Sequence, residues 1–195
     1  MNRAELRAKG RAQLGSSLFG GNWIGSVLVV LVYTLVFSMA SGTCIGYILL
    51  YGPITYALSK IYIMNKRNNC GFNVGDLFTY LGEDFKETFL LGLMETIYIT
   101  LWGFLFVIPG IVKTCSYSMA FYIKTDHPEY NWKQCIEASK KMMDGHKMDY
   151  FILQLSFIGW IFVGTFACGV GTFWVESYIN ATNIEFYESI KGIMD

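Results

Sequence analysis

The chain has 195 residues, of which 53% are hydrophobic, 17% aromatic and only 15% charged; 15 Lys and Arg balance 15 Asp and Glu. A disordered chain lacks this much apolar matter, a nucleic-acid binder carries a basic excess, and a soluble enzyme of this length needs more charge to cover its surface. The class left is an integral membrane protein, with lipid as the solvent.

Residues 1–22 are polar and basic, with Arg3, Lys9, Arg7 and Arg11. The three arginines recur every fourth position and form one stripe if this segment is helical. Such a stripe suits an interfacial helix reaching anionic phospholipid headgroups, or the ordinary charge signal that orients a first membrane helix. Residues 23–40 follow without a charge; 18 residues of helix span about 27 Å, close to the hydrocarbon thickness. This run fits a retained first helix better than a cleavable signal.

Residues 44–64 form a second apolar run with Lys60 its one charge. A third, 88–108, contains Glu95 and ends at Pro109-Gly110, which reads as a helix break. A fourth, 111–123, is short and carries Lys113. The fifth and sixth, 150–167 and 171–184, flank Gly169, and the sixth contains Glu176. The expected fold is all-α: a polytopic bundle of about six spans in three helical hairpins, forming a single integral membrane domain over residues 1–195. Strands are not expected, because the runs are long and lack period-two alternation.

With six spans, both termini and the segments 65–87 and 125–149 share one side. Fourteen of the 15 cations fall on that side, and only Lys113 lies near an opposite turn. The positive-inside bias therefore places the termini in the cytoplasm. The short fourth run leaves a choice between a full crossing and a re-entrant hairpin over 88–123.

Within 125–149, Asn131 followed by Gln134 reads as a capping box, Trp132, Ile136, Ser139 and Met143 recur at helical spacing, and Gly145 suits a helix end. This predicts an amphipathic helix that either lies on the membrane and docks a partner, or packs under the bundle.

Several strings carry a family resemblance. They are the run Leu-Trp-Gly-Phe-Leu-Phe-Val-Ile-Pro-Gly-Ile-Val-Lys over 101–113, Tyr117-Ser118-Met119-Ala120, His127-Pro128, and Ser139-Lys140-Lys141-Met142-Met143 with Gly145 and Lys147. To these add Leu-Ser-Phe-Ile-Gly-Trp over 155–160 and Phe186-Tyr187. Together, over nearly the whole chain, they resemble the bacterial DUF975 family of membrane proteins of unknown function. The resemblance implies a helical protein of the bacterial cytoplasmic membrane and supplies no catalytic residue. Ser177-Tyr178 departs from the Pro-Tyr expected in the last span.

Glu95, Glu176 and Lys113 are the ionisable candidates inside the spans. Intramembrane carboxylates are costly and mark ion or proton sites by default. The plainer reading pairs Glu176 with Lys113 and gives Glu95 hydrogen bonds from Thr96, Tyr98 or Thr100. Five cysteines lack a C-x-x-C, and His127 and His146 have no clustered partners, so no metal or other cofactor is expected. Cys44 and Cys168 sit at outer turns, where a disulfide is conceivable, although small packing thiols are the commoner case. No nucleotide fingerprint or nucleophile motif occurs. The expected activity is that of a non-enzymatic membrane scaffold or accessory subunit. A small transporter using the buried carboxylates is the alternative, and a lipid-acting enzyme ranks third. Expected partners are anionic lipids at the cytoplasmic face and a membrane protein or second copy, not nucleic acid.

Overall fold

The computed structural model describes residues 3–15, 20–41, 44–68, 70–105, 107–166, 169 and 171–192, and these contain helices and no strand. The helices are α1 (Arg3–Leu14), α2 (Gly21–Ser41), α3 (Cys44–Asn68), α4 (Val74–Leu81), α5 (Phe85–Leu105), α6 (Val107–Tyr117), α7 (Ala120–Asp126), α8 (Trp132–Met142), α9 (Lys147–Leu155), α10 (Ile158–Phe166) and α11 (Gly171–Lys191). Two stretches are long and apolar enough to cross a membrane, Asn22–Met39 in α2 and Lys147–Phe166 across α9 and α10. The all-α class is as expected. Of the about six spans expected, these two stretches are the ones of crossing length among the described residues; the fourth run is divided between α6 and α7 and the fifth between α9 and α10. The possible disulfide lies outside the described residues at Cys168.

Pro109-Gly110 does not break the chain as predicted. α5 ends at Leu105 and α6 begins at Val107, so Pro109 sits in the first turn of α6. A first-turn residue has no intrahelical acceptor for its N–H, so Pro costs nothing there. Gly110 lets the helices meet, because a Cβ there would stand 3.0 Å from Gly103 Cα. Starting at Val107 and running through α7 to Asp126, the segment is long enough for about 30 Å of helix.

The break between α6 and α7 is filled from elsewhere. Ser139 of α8 is fully buried, its Oγ accepts from the Met119 N–H at 3.3 Å, and it donates to the Ser116 carbonyl at 2.8 Å. A buried backbone group left without a partner is costly, so this one hydroxyl stabilises the interruption. The predicted capping box starts α8: Asn131 Oδ1 accepts from Gln134 N and Gln134 Oε1 from Asn131 N. The apolar face of α8, including Cys135, Ile136 and Met142, is buried, so of the two arrangements expected α8 adopts packing under the bundle.

The backbones of α3 and α5 touch where they cross. A Cβ on Gly92 would stand 2.4 Å from Gly52 Cα, and one on Gly52 would stand 2.1 Å from the Thr88 carbonyl oxygen. Only glycine permits this approach.

The core is concentrated at one end of the molecule. It joins Leu6 and Leu14 of α1, Tyr62 and Ile63 near the end of α3, Met119 and Ile123 around α7, and Ile184, Phe186 and Tyr187 near the end of α11. At the other end, large apolar side chains stand open. Met39 near the end of α2 is 83% exposed, and Phe104 of α5 and Phe166 of α10 are each 89% exposed.

Candidate functional site

Glu95 lies on the inward face of α5 at 5% exposure, and its Oε2 has no hydrogen-bond partner. None of the donors expected from the sequence bonds to it among the described residues. Thr96 donates to its own helix at Gly92 O, 2.8 Å away, and the Tyr98 ring packs on Tyr117.

Glu176 and Lys113 do not form the pair the plainer reading supposed. Lys113 Nζ lies 4.9 Å from the centre of the Trp102 ring, within the α5–α6 hairpin, and Glu176 is exposed on α11. Among the described residues no ion pair joins the two. The Trp102 face attracts the ammonium within its own hairpin. The three candidates therefore occupy separate surroundings.

The arginine stripe belongs to a docked helix. Leu6, Gly10 and Leu14 are the buried face of α1. Gly10 abuts α11 so closely that a Cβ there would stand 2.7 Å from Thr182 Oγ1. Gln13 Nε2 donates to Tyr62 O at 3.2 Å and Asn65 Oδ1 at 3.1 Å, and Trp23 Nε1 donates to Gly15 O at 3.0 Å. Anchored this way, α1 turns Arg11 to the exterior, leaves Arg7 half-buried, and brings Arg3 within 3.4 Å of Asp149.

A polar centre that the sequence reading missed lies where α3, α7 and α11 end. The Asp126 side chain is 3% exposed. Arg67 grips it with two bonds, Nη1 to Oδ1 at 2.6 Å and Nη2 to Oδ2 at 2.9 Å. Tyr187 donates its hydroxyl to Oδ2 at 2.7 Å, and Lys191 Nζ lies 2.5 Å from the same oxygen. Arg67 also donates to Glu188 Oε1 through Nε and Nη2, and Lys66 pairs with Glu185. Burial would raise the Asp126 carboxyl, but the bonds from Arg67, Lys191 and Tyr187 outweigh it and hold the group at about 2. Fork-to-carboxylate geometry of this kind is directional and charge-assisted, which fixes three helix ends relative to one another. The available signal was a lone aspartate followed by His127-Pro128 at the end of an apolar run, which names no partner.

A second buried charge sits beside it. Lys124 is 1% exposed, and its Nζ donates to the carbonyls of Pro128 at 2.6 Å and Tyr130 at 3.0 Å, with Asp84 Oδ2 at 3.5 Å. The lysine thus closes the loop between α7 and α8 onto the turn before α5.

These features describe an all-helical protein with two stretches of membrane-crossing length, a charged end tied by ion pairs and an apolar end left open. Residues 105–193 match the family model "Protein of unknown function (DUF975)". The resemblance to that family holds over this stretch, which takes in α6 to α11 and with them Ser139, Lys124, Asp126 and Tyr187. It does not extend over nearly the whole chain, as the strings had implied. No curated protein and no solved structure matches the chain.

Proposed function

We propose that the chain is a multi-pass protein of a bacterial cytoplasmic membrane, with both termini cytoplasmic, acting as a non-enzymatic scaffold or accessory subunit. The observation that carries this reading is the open apolar end, with Met39, Phe104 and Phe166 almost fully exposed near the far ends of three helices. Large apolar side chains left open in this way are unfavourable in water and are covered by acyl chains in a bilayer. The six-span arrangement follows if α2, α3, α5, α6 with α7, α9 with α10, and α11 each cross. Its charged end, with Arg67, Lys191 and the arginines of α1, then meets the cytoplasmic headgroups. The scaffold role is supported by the use of the buried charges: Asp126 and Lys124 are engaged by neighbouring helices and loops.

The test has two parts. In a variant whose only cysteines are native Cys70 and Ser38→Cys, an impermeant maleimide added outside intact cells labels position 38 and spares Cys70; equal labelling of both refutes the topology. Purification in mild detergent then yields a stoichiometric protein partner; a solitary protein that conducts a solute in vesicles refutes the scaffold role. One observation favours the transporter alternative, the unpartnered Oε2 of buried Glu95. That reading requires Glu95→Gln to abolish solute flux.

A further inference from the structure

The α5–α6 hairpin is tied to the rest of the protein at its base and at its start of return, and both ties lead to the charged end. At the base, Glu83, just before α5, pairs with Lys60 of α3, and Asp84 lies 3.5 Å from Lys124 of α7. Where the chain turns back, Ile108, Ile111 and Val112 of α6 wall a cavity of about 260 Å³ together with Lys147, Met148 and Phe151 at the start of α9. That start is itself held at the charged end. Asp149 lies 3.4 Å from Arg3 of α1, and the Tyr150 ring packs 5.2 Å from Phe186, near the close of α11.

Helix α8 supplies an independent measure. Its Trp132 N–H donates to Glu87 Oε2 at 3.3 Å, and farther along Lys140 Nζ stands 5.5 Å from the centre of the Tyr117 ring. Tyr117 packs on Tyr98 at 6.1 Å, and Tyr98 lies about 16 Å along α5 from Glu87. So α8 runs beside α5, in the same direction, for about 12 Å between Trp132 and Lys140. Lys140 and Lys141 at its far end are exposed. Were α5 to cross the bilayer, α8 would carry these two ammonium groups about 12 Å into hydrocarbon, where an exposed cation is strongly disfavoured. Lys113 points the same way. It is the single cation that six crossings leave on the outer side; if the hairpin turns back, all 15 Lys and Arg share the cytoplasmic side. The two stretches of crossing length, in α2 and across α9 and α10, do not include the hairpin.

We propose that the α5–α6 hairpin is re-entrant and, with α8, forms a surface that grips the cytoplasmic leaflet. Ile108 and Met148, 75% and 66% exposed, face its acyl chains together with Val112, while Lys113, Lys140 and Lys141 meet its headgroups. Lys113 over the Trp102 ring, at 4.9 Å, places an aromatic and a cation together at headgroup level, where both are favoured. The inference rests on the membrane reading above and replaces two of its six crossings. Both termini stay cytoplasmic, because entry and exit on one side remove the two crossings together.

The test places single cysteines in the full chain with its native cysteines replaced by alanine: Lys113→Cys, Gly103→Cys beside Trp102, and Ser38→Cys as the outer marker. A Cβ at Gly103 meets nothing within 4 Å, so that position accepts the side chain. An impermeant maleimide is added to intact cells and, separately, to inside-out membrane vesicles. Ser38→Cys is read first; if it reacts in the vesicles and not in the cells, the membrane reading itself fails. With Ser38→Cys reacting in cells, positions 103 and 113 are expected to react in the inverted vesicles and not in the cells. Reaction of either one in intact cells, or of neither in either preparation, overturns the re-entrant course alone. Where one of the two variants does not fold, the other decides.

Discussion

Replacing Asp126 by Asn tests whether the joined ends of α3, α7 and α11 hold the protein together. The substitution keeps the shape and removes the charge that Arg67, Lys191 and Tyr187 converge on. The native carboxyl is held at about 2, against an ordinary value of 3.8. A depression of that size corresponds to about 2 kcal/mol of stabilisation. Because the folded-state value is the lower one, the contribution is complete above the ordinary value and is lost as pH falls through the folded value. For a chain of this size about 2 kcal/mol corresponds to a melting shift of about 5 °C. Thermal unfolding in detergent, followed by tryptophan fluorescence between neutral pH and pH 2, therefore shows a lower Tm for Asp126→Asn and a flatter acid limb. Glu83→Gln is the control. Its partner is Lys60 and its side chain is 43% exposed, so it costs well under about 1 kcal/mol. An Asp126→Asn variant that melts within about 1 °C of the parent, or keeps the parent's acid limb, refutes the reasoning, since ion pairs of real strength cannot vanish unnoticed.

Three further outcomes are expected. Gly92→Ala forces α3 and α5 apart and lowers stability by about 2 kcal/mol or more, while Gly103→Ala, whose Cβ meets nothing within 4 Å, is tolerated; equal melting of the two contradicts the crossing geometry. Lys124→Met frees the Pro128 and Tyr130 carbonyls, costs about 3 kcal/mol, and speeds amide exchange over residues 127–131; unchanged exchange there shows that the lysine does not hold the loop. Glu95→Gln leaves stability unchanged or raises it by about 1 kcal/mol, because it replaces a buried carboxyl that has an unpartnered oxygen; a large loss of stability means that the carboxylate has a structural partner.

Much of the architecture was legible because it depends on neighbours along the chain. The apolar run of α2, the capping residues Asn131 and Gln134, and the helical class all follow from periodicity and local hydrogen bonding. Pro109 was misread because its effect depends on position: in a helix interior it breaks, in a first turn it does not. The resemblance strings contained Ser118, Met119 and Ser139, yet nothing in them indicates that the serine from α8 fills the gap after Tyr117.

The sequence by itself determined a helical chain poor in charge, with its cations concentrated in the termini and two inner segments. Those properties are sums and short-range patterns, so no fold is needed to read them. Tertiary structure alone decided that Arg67 reaches Asp126 across 59 residues and Glu188 across 121, that Gly52 meets Gly92, and that Lys113 turns to Trp102 rather than Glu176. Which charge meets which depends on the crossing of helices distant in sequence, and that crossing is set by packing between them.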